Sequence, residues 1–200
     1  MEGLNHDATG PCRNNANERS TVKYCSECGH KVIVEQLPLV PMSRFACTVC
    51  RAVFYQSPRL AAGCIAEWEG KILLCRRAVD PARGRWGLPA GFVAAGESTS
   101  AAAARETLEE ANVAVNIVQA YALFHVPHAN QLRVIFLARL LDNKFKPGTE
   151  TLEARLFEEA EMPWDDLAFA TTGNALTKYF RDRAAGDFGF FFADIVQIDA

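Results

Sequence analysis

The chain has 200 residues, half of them apolar, and a formal net charge of −3, which suits one good core with room for a small appendage. A slightly acidic protein lacks the basic stripe of a broad nucleic-acid footprint, so nucleic acid is not an expected partner, whereas a small anion bridged by a cation is. No apolar run reaches the ~20 residues of a membrane span, and residues 1–20 lack the hydrophobic stretch of a secretory signal, so a soluble, cytoplasmic protein is expected.

Residues 1–21 are rich in Asn, Arg and small polar side chains and are expected to be a disordered tail, although an organellar targeting segment stays open. Residues 22–57 contain Cys25-x2-Cys28, an interval of eighteen residues, and Cys47-x2-Cys50. Two such knuckles have the spacing of a tetrahedral zinc site, with Gly29 supporting the first turn; disulfide pairing is the rival, disfavoured in an intracellular setting. Four thiolates leave no open position for water, so this zinc is expected to stabilise folding and perform no chemistry. The ribbon offers only Lys31, Arg44 and Arg51 as cations, too few for a nucleic-acid surface. Cys64 and Cys75 lie in apolar strand patterns and are expected to pack as small hydrophobes, while Cys12 falls in the tail.

Residues 58–200 are expected to form one catalytic domain. Alternation predicts strands over 60–68 and 71–77 joined at Glu69-Gly70, then a loop with Pro81 and Gly84 leading to Trp86. Strand patterns recur over 113–118, 120–126 and 132–140, and 174–183 reads as a helix with Leu176 and Phe180 inward. By periodicity alone the fold class is α+β.

Residues 91–113, GFVAAGESTSAAAARETLEEANV, carry the chemistry. As a helix over 98–111, with Ser98 as cap, the segment places Arg105, Glu106, Glu109 and Glu110 within an arc of about 140°. Ala104, Thr107, Leu108 and Ala111, bordered by Ala101, are expected to form the face that packs on a sheet. Like charges at i,i+3 and i,i+4 cost an isolated helix about 0.2–0.5 kcal/mol per pair, and Arg105 to Glu109 offsets only one such repulsion. The cluster therefore calls for a cation, and hard carboxylate oxygens suit Mg²⁺ or Mn²⁺. A Glu-rich helix face is usually just solvated, but six fixed positions (Gly91, Glu97, Arg105, Glu106, Glu109, Glu110) recur by accident in about one chain per 10⁵.

These residues resemble the Nudix box, G-x5-E-x7-R-E-U-x-E-E-x-G-U with U aliphatic; Thr107 stands at the first aliphatic place and Asn112 at the glycine. The similarity runs from about residue 24 to 180 and is closest to zinc-ribbon Nudix hydrolases. It implies an α/β/α sandwich around a mixed sheet, preceded by a small zinc ribbon, and an Mg²⁺-dependent pyrophosphatase of nucleoside diphosphates linked to another moiety. GRWGLPAGF, VIFLARL and PGTETLEARLF resemble plant chloroplast FAD and ADP-ribose pyrophosphatases. Bacterial NADH pyrophosphatases carry an SQPWPFPxS-like stretch after the box where this chain reads AYALFHVPHAN, so NADH is the weaker reading. A non-catalytic nucleotide-sensing or RNA-binding module is the alternative from another class, and the intact Glu106, Glu109 and Glu110 speak against it.

The resemblance further implies Glu106, Glu110 and Glu109 as metal ligands with the Ala90 carbonyl, Arg105 orienting the carboxylates, and Glu97 in a supporting place. The lesser alternative for Arg105 is a plain surface ion pair with Glu109. Glu150, with Glu153 close behind, both expected on a surface loop, is the candidate extra ligand or general base. Phe92, Tyr121 and Phe124 are candidates for stacking a substrate ring, though aromatics in alternating strands usually point inward; His125 and His128 receive no role. A homodimer is expected from the family.

Overall fold

The computed structural model describes residues 22–36 and 43–196 and divides into two compact units, Met1–Ser57 and Pro58–Ala200. The expected tail, residues 1–21, lies outside the described residues. None of the described helices is long and apolar enough to cross a membrane.

In the first unit β1 (Val32–Gln36), β2 (Ser43–Cys47) and β3 (Val53–Phe54) form an antiparallel sheet in the order β1-β2-β3. Its core is small: Cys25, Val32, Phe45 and Cys47. Each Cys-x2-Cys knuckle is followed by a left-handed residue, Gly29 at φ 73° and Arg51 at φ 63°. Glycine adopts that conformation freely; Arg51 does so while its guanidinium reaches Glu35 at 3.1 Å.

The second unit is a mixed sheet in the order β10-β5-β4-β9-β8-β11, with two short strands pairing onto β5 and β4. β4 (Arg59–Trp68) and β5 (Lys71–Arg77) meet at Glu69 and Gly70, both at positive φ as a tight hairpin of this hand requires. β6 (Trp86–Gly87) pairs with β5 and β7 (Ala90–Phe92) with β4. A Cβ on Gly63 would overlap Ala90, so β7 can lie this close to β4 only against a glycine. β9 (Gln131–Leu140) runs parallel to β4 and antiparallel to β8 (Val115–Val126); β10 (Thr151–Phe157) and β11 (Phe191–Asp194) form the two edges.

Strand alternation sorts the apolar side chains onto two faces. Ile65, Ile72, Leu74 and Ile135 pack with Ala175, Leu176, Tyr179 and Phe180 of α2 (Ala170–Ala185). Cys64, Ala66, Leu73, Cys75 and Phe136 pack with Ala102, Ala103 and Ala111 of α1 (Thr99–Ala111). A helix covers each face, giving the α/β/α arrangement, and Cys64 and Cys75 are core residues.

Three local expectations change. The two strands expected over 113–118 and 120–126 are one, β8, which begins only at Val115 and is interrupted by register shifts after Ile117 and Ala120. These bulges bring Tyr121, Ala122 and Phe124 all into the core beneath α2, which strict alternation forbids. Residues 151–157 form an edge strand and not a loop, because pairing with β5 outweighs their charged composition. The second helix begins four residues before 174, since Thr171 and Thr172 are buried there despite their weak propensity.

Asn112, standing where the box has glycine, ends α1 at φ 51°, ψ 33°. Its Nδ2 donates to the carbonyls of Lys146 and Pro147, both at 3.1 Å, while the Lys146 and Gly148 amides donate to the last-turn carbonyls of Ala111 and Glu110. The side chain thus ties the helix end to the segment leading to Glu150. Asn112→Gly relieves left-handed strain but deletes two hydrogen bonds of about 1 kcal/mol each. A net loss of about 1 kcal/mol is expected in denaturant titration, and a more stable variant would contradict this account.

Candidate active site

Local folding sets α1 in place first. Ser98 caps it in extended conformation (φ −76°, ψ 152°), its Oγ accepting from the Ala101 amide at 3.2 Å. Just before it, Glu97 accepts from the Ala94 amide at 3.0 Å through Oε2. The Arg105 guanidinium then grips both Glu97 oxygens, Nε to Oε1 at 2.8 Å and Nη2 to Oε2 at 3.0 Å. Nη2 also donates to the Phe92 carbonyl at 3.0 Å, and Nη1 to Glu106 at 2.7 Å and Glu109 at 3.2 Å. Every direction of the guanidinium fork is used, so Arg105 is far more than an i,i+4 partner of Glu109. It fastens the loop before the helix, the β7 backbone and two box carboxylates to one planar group. Bonding to Arg105, helped by the Ala94 amide, holds the Glu97 carboxyl down at about 2.

The inward face of α1 differs from the expected one. Ala102, Ala103, Thr107 and Ala111 are buried, whereas Leu108 is 52% exposed and Ala101 is exposed. On the helical wheel Glu106 and Glu110 fall in the middle of that buried arc, between Ala102 and Ala103. The two carboxylates therefore point toward the sheet, and a Cβ at Gly91 would overlap the Glu106 carboxylate. Thr107, at the box position expected to be aliphatic, is fully buried; its hydroxyl donates to the Ala103 carbonyl at 2.9 Å and lies 2.9 Å from Cys64 Sγ.

Burial dominates the electrostatics. Desolvation, then the Glu106 charge, raises the Glu110 carboxyl to about 8, against an Ala90 backbone hydrogen bond and the Arg77 charge. Glu106 is also raised by burial, with Arg105 opposing. Glu150, exposed at the start of β10, adds negative charge at both groups, while Glu153 sits opposite Arg76 with 3.9 Å between charged atoms. The structure therefore brings Glu150, not Glu153, to the pair. Two half-hidden carboxylates that repel each other, with hard oxygens and a glycine strand alongside, fit an Mg²⁺- or Mn²⁺-sized divalent ion. Glu109 is on the exposed flank, its side chain 57% accessible.

The aromatic candidates separate. Tyr121 and Phe124 are completely buried, packed edge-on against Phe191, so neither can offer a ring face to a substrate; the bulges of β8 turn them inward. Phe92 is 45% exposed, with the Arg59 guanidinium 4.0 Å from its ring centre. Sequence reading did not single out Arg77, Arg133 or Phe169, although an arginine at 133 in the apolar run QLRVIFLARL was a visible signal.

In the first unit the four sulfur atoms of Cys25, Cys28, Cys47 and Cys50 lie within 4.8 Å of one another, and all are free thiols. Three pairs approach to 3.4–3.5 Å, close to the ~3.8 Å edge of a tetrahedron with Zn–S of 2.3 Å. A hydrogen bond from the Val49 amide, 3.4 Å from Cys47 Sγ, is the chief cause that lowers the Cys47 pKa to about 6. The donor set therefore fits a soft divalent metal.

A sheet covered by helices, with acidic side chains aimed at a glycine strand, is the working part of an enzyme that hydrolyses phosphoric anhydrides. The chain belongs to the Nudix family: the NUDIX domain profile matches residues 57–181. The crystal structure of a NUDIX hydrolase from Nitrosomonas europaea shares 44% identity at a TM-score of 0.82, spanning 87% of this chain and all of its own. An ADP-ribose pyrophosphatase of Methanocaldococcus jannaschii is 29% identical over 119 residues, 58% of this chain and 69% of that protein. The ADP-ribose pyrophosphatase structure from Streptococcus suis, at 24% identity and a TM-score of 0.52 over 68% of this chain and all of its own, shares the fold.

Proposed function

We propose that this protein hydrolyses the diphosphate bridge of ADP-ribose or FAD, releasing AMP with ribose 5-phosphate or FMN, and that it needs Mg²⁺ or Mn²⁺. The observation that carries the reading is the half-buried Glu106–Glu110 pair, turned toward the sheet beside Gly91 with like charges facing each other. Glu106, Glu110 and Glu109, with the Ala90 carbonyl and Glu150, would hold the ions. Bound there, divalent ions supply charge neutralisation on the phosphate oxygens and a more acidic attacking water.

The chain's own groups do the rest. Arg105 fixes the carboxylates through Glu97 and the Phe92 carbonyl, so little reorganisation is needed as charge develops. Glu150, exposed just before β10 and adding negative charge at the pair, is our candidate to take the proton of the attacking water, and Glu153 is the weaker one. The half-exposed ring of Phe92 offers an edge for a flat base. Gly91 keeps the β7 backbone open beside Glu106.

The similarity to an ADP-ribose pyrophosphatase favours ADP-ribose; the resemblance of GRWGLPAGF and PGTETLEARLF favours FAD. NADH is the less favoured substrate, because the segment that differs, AYALFHVPHAN, is largely the core strand β8. The same reading includes a homodimer, one structural zinc on the four cysteines, and a cytoplasmic setting. AMP release from FAD, ADP-ribose and NADH, each with and without Mg²⁺, tests it. ADP-ribose or FAD should exceed NADH by at least tenfold in kcat/KM; NADH as the best of the three would overturn the substrate assignment.

A further inference from the structure

Beside Phe169, at the start of α2, there is a second charged cluster, made of residues outside the box. Arg133 stands on β9 in register with Ala61 of β4 and Phe124 of β8, two residues before Ile135 of the core. Its guanidinium lies 4.6 Å from the Phe169 ring centre, and that of Arg77 lies 5.2 Å from the same ring. Arg133 donates only to neutral oxygens, Gln131 Oε1 at 3.2 and 3.3 Å and Thr171 Oγ1 at 3.5 Å. Among the described residues neither Arg77 nor Arg133 has a carboxylate within 4.0 Å.

An unpaired, half-buried cation is costly, and a second one nearby adds to that cost. Burial, with the Arg77 charge, pulls the Arg133 pKa below its usual value. The next element adds more positive character. α2 starts at Ala170, directly after Phe169, with no side-chain cap; its Thr172 and Gly173 amides donate to the Phe169 carbonyl at 3.0 and 3.3 Å, and the positive end of the helix dipole lies at this start. Both guanidiniums thus lie against Phe169, the residue that precedes this helix start, with no carboxylate among the described residues to pair with either. Arg77 also ties this cluster to the box side: it pairs with Thr151 of β10, and the next residue's amide, Ala78, donates to the Glu150 carbonyl at 2.8 Å.

We propose that Arg77, Arg133 and the uncapped start of α2 form an anion subsite that takes one phosphate of the substrate's diphosphate while the other engages the Glu106–Glu110 side. This deepens the pyrophosphatase reading and rests on it. Phosphate suits the cluster because a guanidinium fork meets two of its oxygens at once and because amides at a helix start accept the remaining charge. Phe169 packs against both guanidiniums by cation–π contact, and their hydrogen-bond partners, the Pro81 carbonyl 2.9 Å from Arg77 Nε and the Gln131 and Thr171 oxygens at Arg133, are all neutral. The site is thereby selective for a diphosphate over a monophosphate: only the former reaches both ends.

The test is equilibrium binding of α,β-methylene-ADP and of AMP to the full chain with Mn²⁺, for wild type, Arg133→Met, Arg77→Met and Arg133→Lys. Both methionine variants are expected to bind α,β-methylene-ADP at least tenfold more weakly, to change little toward AMP, and to keep their Mn²⁺ affinity. Arg133→Lys, retaining charge without the fork, should fall between. Removing an unpaired cation should also leave the ligand-free melting temperature of Arg133→Met unchanged or raised, opposite to the effect of deleting a purely structural residue. If Arg133→Met does not fold, Arg77→Met and Arg133→Lys carry the test alone. Equal losses for both ligands, or α,β-methylene-ADP binding within twofold of wild type in Arg77→Met, would overturn the proposal. Neither result depends on which dinucleotide is cleaved: arginine-dependent binding without ADP-ribose or FAD turnover leaves the subsite standing, and turnover indifferent to both arginines removes it alone.

Discussion

Glu110→Gln is expected to lower kcat with ADP-ribose or FAD by about 10³-fold, since losing one anionic ligand of a catalytic ion forfeits several kcal/mol of transition-state stabilisation. The replacement keeps size and hydrogen-bonding shape, so the loss reports charge. Its second signature is in stability. The unfolded chain gives up the Glu110 proton near the ordinary carboxylate value, 4.5, whereas the folded protein keeps it up to about 8. Across that window the native state binds the extra proton, so raising pH favours unfolding: the metal-free protein should lose on the order of a few kcal/mol between pH 5 and 8. Adding Mg²⁺ should restore that stability, with an apparent affinity that climbs as pH approaches 8 because the ion must displace the proton. In Glu110→Gln the pH dependence should flatten. Chemical denaturation in EDTA at several pH values checks this, and a metal-free stability that rises through the window would contradict the assigned environment.

Cys47→Ser, or a strong chelator, is expected to remove one zinc per chain and to melt β1–β3. The reason is scale. The first unit's core cluster consists of four buried side chains, two of them the proposed ligands Cys25 and Cys47, and each buried apolar side chain supplies about 1.5–3 kcal/mol. A structural zinc contributes roughly 10–16 kcal/mol of apparent binding free energy. All four cysteines are free thiols, so no disulfide substitutes for the metal. Hydrogen exchange should show loss of protection over 25–54 with the Pro58–Ala200 core intact. Freshly purified protein without zinc, or unchanged protection in the variant, would remove the metal from the account.

The box helix was legible because its signals are local: Ser98 caps, Asn112 turns left-handed, and the Glu97–Arg105 spacing fixes one bidentate pair. The hairpin strands β4 and β5 were legible for the same reason. Less legible was which way α1 faces. An amphipathic reading sends charges outward, yet Glu106 and Glu110 occupy the buried arc because the site is built between helix and sheet. The edge strand β10 is charged enough to look like loop until β5 pairs with it. For Tyr121 and Phe124 inward packing was the usual expectation and holds, but that both turn inward three residues apart is set by two bulges in β8, invisible to period-two counting. Arg133 stood out only as a polar break in an apolar strand, and its relation to Arg77 and Phe169 is a matter of tertiary contact.

The central claim is that the acidic face of α1 holds divalent ions with which a diphosphate bridge is cut. The most direct measurement is AMP release by EDTA-stripped protein as Mg²⁺ is titrated back, run beside Glu110→Gln. The account predicts no turnover before addition, saturable recovery in the wild type and almost none in the variant. Full turnover in EDTA, or equal recovery by the variant, would contradict it.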